Sequence, residues 1–142
     1  MRDYYKELDL QVDKNINDII NPFLRSFGFL QDKTSNLIFV KRNCQIIFHI
    51  WGFHPHDIPW SIDVELKKID NSIYLRHYKE KIALFEGWQK EVLERNSESY
   101  LIYTIESIDK SFTRIKNDLE KFCADFLNED YKRFNYAIKI HQ

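Results

Sequence analysis

Cys44-Gln45-Ile46-Ile47-Phe48-His49-Ile50-Trp51 and Trp60-Ser61-Ile62-Asp63-Val64-Glu65-Leu66-Lys67 are the two stretches on which the fold turns. Successive side chains of a strand point to opposite faces. Cys44, Ile46, Phe48 and Ile50 therefore share one face of the first run, and Trp60, Ile62, Val64 and Leu66 share one face of the second. Antiparallel pairing of Ile50 with Ile62, Phe48 with Val64 and Ile46 with Leu66 gathers the apolar residues on one side. A slip of one residue would turn the whole set toward water, so the pattern selects this register. The same register sets His49 opposite Asp63 and Ile47 opposite Glu65 on the second face, and Ser61 opposite Trp51.

Working outward, Asn36-Leu37-Ile38-Phe39-Val40-Lys41 is rich in β-branched and aromatic residues and predicts a further strand. Arg42-Asn43 is the tight turn after it, with Asn suited to positive φ. Phe29 to Asp32 adds a short leading strand. Before it, Val12, Ile16, Ile19, Ile20, Phe23, Leu24 and Phe27 follow the three-and-four spacing of a helix stripe. Pro22 inside that pattern predicts a kink or split near Asp18 to Asn21, and Gly28 a left-handed stop. After the strands, Ser72 to Asn96 is read as helical, with Gly87 marking a break. Tyr100 to Tyr103 is read as a short strand or an apolar linker. Ile105, Ile108, Phe112, Ile115, Leu119, Phe122 and Phe126 form the strongest amphipathic helix. Asn128 is read as the cap of a last helix.

These elements predict an α+β fold: an antiparallel meander of three to four strands covered on one face by an N-terminal helix and C-terminal helices. Residues 1–142 form a single domain. The expected core is Ile16, Ile20, Leu24, Phe27, Phe48, Ile50, Ile62, Val64, Leu66, Phe112, Ile115, Leu119 and Phe122.

Composition narrows the function classes. Lys plus Arg is 21 against 22 for Asp plus Glu, a net charge of −1. Counterion-release binding needs clustered positive charge, so a general nucleic-acid or anionic-membrane binder is not expected. The three glycines, Gly28, Gly52 and Gly87, are too dispersed for a nucleotide loop. Cys44 and Cys123 show no paired spacing and are read as reduced, partly buried thiols. Acids in Met1 to Glu7 stand where a signal peptide needs an apolar run, and no stretch is long enough to span a bilayer. The expected location is cytoplasmic. Arg76, His77, Lys79 and Lys81 form a basic patch among glutamates, with Glu86–Lys90 and Glu91–Arg95 at helix-pair spacing. This reads as a solvated helix face.

The order helix, Gly28-Phe29, β-meander, C-terminal helices, together with Pro22-Phe23-Leu24-Arg25-Ser26-Phe27-Gly28-Phe29, resembles a group of small bacterial domains of unknown function. Some of those relatives sit near toxin loci as immunity proteins. The Pro-x-Leu-x-x-x-Gly-Phe pattern is a packing signature and transfers no catalytic residue. The resemblance implies a small binding protein, immunity- or antitoxin-like.

Two functional readings attach to one region. In the first, the chain is a non-enzymatic binding protein. His49, Trp51, Phe53, Trp60, Asp63 and Glu65 meet another protein through the sheet face and the 51–60 loop, because an exposed Trp among polar residues is a frequent interface anchor. A homodimer and a heteromeric complex are both left open. In the alternative, His49, His54, His56 and Asp57 bind a metal, zinc, or a small ligand. A site of this kind can be enzymatic, with Asp63 or Glu65 as base. In an extended chain His54 and His56 project to one side about 6.5–7 Å apart at Cα, within reach of one ion. No His-Glu-x-x-His or Gly-x-Ser-x-Gly motif accompanies them.

Overall fold

The computed structural model describes residues 2–53, 58–87 and 99–141, and the backbone alone for residues 2–5, 53, 58–60, 84 and 85. The N-terminal stripe forms helix α1 (Arg2–Asn15), a π-helical turn (Ile16–Ile20) and helix α2 (Asn21–Ser26). Pro22 sits in the first turn of α2, where its missing N–H costs least. A proline ring crowds the carbonyl four residues back. The widened turn, closed by the Asn21 amide on the Ile16 carbonyl, gives that ring room, so the expected kink takes the form of a π turn. Gly28 ends α2 at φ +91, with its amide on the Arg25 carbonyl at 2.9 Å and the Phe29 amide on the Leu24 carbonyl at 3.0 Å.

The sheet contains β1 (Leu30–Gln31), β2 (Ile38–Lys41), β3 (Cys44–Phe53), β4 (Ile58–Lys68) and β5 (Asn71–Tyr74) in sequential antiparallel order. A sixth strand, β6 (Tyr100–Leu101), also pairs with β4, so the meander is larger than expected. The β3–β4 register is as the alternation required: Ile46 faces Leu66, Phe48 faces Val64, Ile50 faces Ile62 and Trp51 faces Ser61. Positive φ in the β2–β3 turn falls on Arg42, at 54°, rather than on Asn43.

Helix α3 (Leu75–Phe85) follows β5 directly. Asn71 to Tyr74 is therefore strand, correcting the helical reading from Ser72: Ile73 faces Leu66 across the sheet and is buried. Gly87, at φ +74, lies just after α3, and residues 88–98, including Lys90, Glu91 and Arg95, lie outside the described residues. Helix α4 (Ile105–Leu127) opens with a reciprocal cap, Thr104 Oγ1 accepting from the Ser107 amide and Ser107 Oγ from the Thr104 amide. Asn128 closes α4 instead of opening the last helix, α5 (Lys132–His141). The carbonyl end of α4 is secured from two sides. Lys41 Nζ donates to the Leu127 carbonyl at 2.8 Å, and Arg133 donates to the Phe122 carbonyl and to Asp125.

The core lies between the inner face of the sheet and α1, α4 and α5. Phe48 stacks on Phe112 at 6.4 Å, and Phe126 meets Phe134 at 4.8 Å. Ile62, Val64 and Leu66 are buried, as are Ile16, Ile20, Leu24, Ile115, Leu119 and Phe122. Phe27 and Ile50 are partly buried against the core rather than sealed in it. Both Cys44 and Cys123 are free and buried. No described helix is long and apolar enough to cross a membrane.

Candidate functional site

The outer face of the sheet, opposite Phe48 and Val64, brings together four of the six expected interface residues. Strand alternation puts His49 and Trp51 of β3 beside Asp63 and Glu65 of β4. His49 stands opposite Asp63, yet its Nε2 bonds Glu65 Oε1 at 2.8 Å. Trp51 Nε1 donates to Asp63 Oδ2 at 2.8 Å. The expected His49–Asp63 pair is thus replaced by two diagonal pairs. Side chains lean along their strands, and diagonal neighbours lie within reach of long or aromatic groups.

The ring system is built around His49. Its imidazole lies 5.9 Å from the Trp51 ring at an interplanar angle of 14° and meets Tyr74 edge-on at 5.8 Å. Tyr74 reaches this face because it pairs with Glu65 across β4–β5. Arg76, at the start of α3, brings Nε within 3.3 Å of Asp63 Oδ1. This contact is an ion pair without hydrogen-bond alignment, since Nε has no hydrogen-bond partner. Reading the chain as helical from Ser72 passes over Tyr74 and Arg76 as site members. The signal that finds them is Ile73, whose burial across from Leu66 extends the sheet by a strand.

Burial differs across this cluster. The Asp63 and Glu65 side chains are 14% and 19% exposed, whereas Trp51 is 46% exposed as a residue. The indole is therefore a surface group held in one orientation by a half-sheltered carboxylate. Ile38 and Ile47, paired across β2–β3 on the same face, are partly exposed and extend the surface. Phe53 and Trp60 belong to β3 and β4, but their side chains lie outside the described residues.

The metal alternative is only partly in view. His54, His56 and Asp57 lie outside the described residues. Its one described member, His49, spends Nε2 on Glu65. Among the described residues no group of three His, Cys, Asp or Glu side chains is arranged to hold a metal ion.

A second titratable cluster is internal. Lys79, read from sequence as part of a solvated basic patch, is buried, its side chain 1% exposed. Its Nζ donates to Asp118 Oδ2 at 2.9 Å, and Tyr100 Oη donates to the same oxygen at 2.6 Å. Desolvation pulls the Lys79 pKa below its ordinary value, against the upward pull of the Asp118 bond and charge. Burial and the Asp118 charge push the Tyr100 pKa well above its ordinary value. Nearby, Arg133 joins Asp125 to Glu86, so Glu86 pairs with α5 as well as standing in the turn after α3.

A cleft of about 220 Å³ lies between α1 and α4, lined by Gln11, Lys14, Asn15, Asp18, Ile19, Asp109 and Thr113. Within it the Gln11 and Asn15 amides donate to Asp109 Oδ1 at 2.7 and 2.9 Å. Those two bonds hold the Asp109 pKa below the usual carboxylate value. These contacts tie α1 to α4 and account for Gln11, Asn15 and Asp109.

Comparison of the chain with protein-family models, with curated proteins and with solved structures finds no match in any of the three.

Proposed function

We propose that the chain is a non-enzymatic binding protein, acting in the cytoplasm, which holds another protein on the outer face of its sheet. The observation that carries this reading is the half-exposed indole of Trp51, its N–H held by Asp63 and its ring beside His49, which in turn meets Glu65 and Tyr74. Interface hot spots are enriched in Trp, Tyr and Arg, and a side chain already held in its bound orientation loses less entropy on docking. The face supplies all three residue types through Trp51, Tyr74 and Arg76. The resemblance of the element order and of the Pro22 to Phe29 segment to immunity-type domains supports the same class, and on that reading the partner is a toxin-like protein.

The test is affinity capture followed by a measured Kd for the purified partner. Trp51→Ala should weaken binding at least about tenfold, equivalent to about 1.4 kcal/mol. Circular dichroism of the variant should match that of the parent. A Kd unchanged by this substitution would remove the outer face from consideration.

A further inference from the structure

The ties across the cleft between α1 and α4 use its hydrogen-bond donors and leave acceptors over. Both hydrogens of Asn15 Nδ2 are engaged, on the Gln11 carbonyl at 2.9 Å and on Asp109 Oδ1 at 2.9 Å. Gln11 Nε2 gives one of its two hydrogens to the same Asp109 oxygen, and Thr113 Oγ1 donates to the Asp109 carbonyl at 3.0 Å. Asn15 holds the deepest of the remaining acceptors. The residue is 4% exposed, no described residue donates to its Oδ1, and that oxygen is nonetheless not sealed from solvent. Because Asn15 lines the cleft, the oxygen opens into it. A nearly buried carbonyl without a donor is a cost that a bound donor removes.

The charge of the lining favours a donor that is also a cation. Asp18 and Asp109 contribute two carboxylates and Lys14 one ammonium. Of the cations just beyond, Lys110 is paired with Glu106 at 2.9 Å and Arg114 lies over the Tyr100 ring at 4.8 Å. The amides of Asn15 and Gln11 hold the Asp109 pKa below its ordinary value, so its carboxylate is charged at neutral pH. Ile19 adds an apolar contact to the wall, and with Asp18 it belongs to the π turn, a form that recurs at functional sites. At about 220 Å³ the cleft is smaller than the roughly 300–1,000 Å³ that drug-sized ligands occupy, so it suits a group of few atoms.

We propose that this cleft binds a primary alkylammonium, with N–H groups on Asn15 Oδ1 and the Asp109 carboxylate and its stem against Ile19. The amide that gives Nδ2 to Asp109 carries Oδ1 on the same carbon, so the two acceptors are neighbours. An ammonium has three donors and no acceptor, the complement of what the lining leaves over. An anion would meet Asp18 and Asp109, and an alcohol donates once. The site lies among the helices, apart from the outer face of the sheet, and does not depend on the docking reading.

Butylammonium is the probe, titrated at constant ionic strength against the ¹⁵N-labelled chain, with tetramethylammonium and butyrate as controls. Tetramethylammonium carries the charge without an N–H, and butyrate carries a similar stem with the opposite charge. The reporter is the Asn15 side-chain amide, assigned through its own backbone correlations. Butylammonium should shift it saturably, and the controls should not. Asp109→Asn keeps an acceptor for the Gln11 and Asn15 amides and removes the charge. It should weaken butylammonium binding about five- to tenfold, the step from a charged to a neutral acceptor. Lys14→Gln removes the one cation of the lining and should tighten it. Acetyl-Gly-Lys-Gly-amide separates two sources of the same group: binding tighter than butylammonium assigns a lysine side chain, and weaker binding a free amine. An unmoved Asn15 amide, an equal response to either control, equal affinity in Asp109→Asn, or weaker binding in Lys14→Gln would each overturn the proposal.

Discussion

Asp118→Ala is the substitution whose cost follows most directly from the packing. Asp118 Oδ2 receives Lys79 Nζ at 2.9 Å and Tyr100 Oη at 2.6 Å. Removing the carboxylate leaves an ammonium on a side chain 1% exposed and a phenol within the core, neither able to turn to water. Breaking a buried pair from one side typically costs about 3–5 kcal/mol. The Tyr100 ring, 5.1 Å from Nζ, is present with and without Asp118 and cancels from the difference, so the expected loss stays at about 3–5 kcal/mol. The loss also carries a pH signature. Desolvation already lowers the Lys79 pKa, and the Asp118 bond and charge oppose it. Without Asp118 the pKa falls further below the unfolded value of 10.5. The unfolded state then binds more protons than the folded one, so stability of the variant rises with pH between the two pKa values. Urea denaturation followed by circular dichroism at pH 6 and pH 9 reads both effects. A loss under about 1 kcal/mol, or one that does not shrink toward pH 9, would refute the account of Lys79 as a charge that depends on Asp118.

Four further outcomes are expected. Lys79→Met with Asp118→Leu should unfold at higher urea than Asp118→Ala alone, because replacing both charges leaves no buried ammonium. Gly28→Ala should cost about 1–2 kcal/mol in thermal or urea melts, from the φ of +91 rather than from crowding, since the added Cβ meets only the flexible end of Lys41 at 3.3 Å. His77 should titrate below its ordinary value of 6.5 by NMR, because burial and Arg76 disfavour its charged form; its contribution to stability then rises with pH up to about 6.5. His49, engaged with Glu65, should show no ring shift when zinc is added; a large shift there would revive the metal reading of the 49–57 segment.

The parts of the fold that could be read in advance are those where one face alternates against another. Ile46, Phe48, Ile62, Val64 and Leu66 admit one register, since any slip exposes them all. The stripe from Ile105 to Phe126 is equally constrained and forms α4. Ser72 to Tyr74 had no such constraint: one buried residue, Ile73, in a strand of four residues gives no period to detect, and the helical pattern after it absorbed the strand. Asn128 suits either end of a helix, and only the carbonyls of Ala124, Asp125 and Phe126 near its amide show which end it closes. On the candidate site, register gave the strand partners of His49 and Trp51. It did not give the diagonal choice of Glu65 and Asp63, which depends on side-chain lean. Lys79 carries no local sign of burial, because its partner Asp118 lies on another helix.

Strand β4 has a consequence for the order of assembly. Its inner-edge amides are completed in two instalments: Leu66 lies opposite Ile73 of β5, a few residues along the chain, whereas Ile62 waits for Tyr100 of β6. β6 does not arrive alone. Its Leu101 carbonyl accepts from Ser111 Oγ at 2.6 Å, so β6 comes tied to α4. Closing the longer loop adds little to the equilibrium cost, because each doubling of loop length costs only about 0.6 kcal/mol, but distant pairings form more slowly than local ones. The hairpins are then a template that exists before its helical cover. Pulsed hydrogen exchange during refolding should find the Leu66 amide protected ahead of Ile62, and simultaneous protection of the two would count against this order.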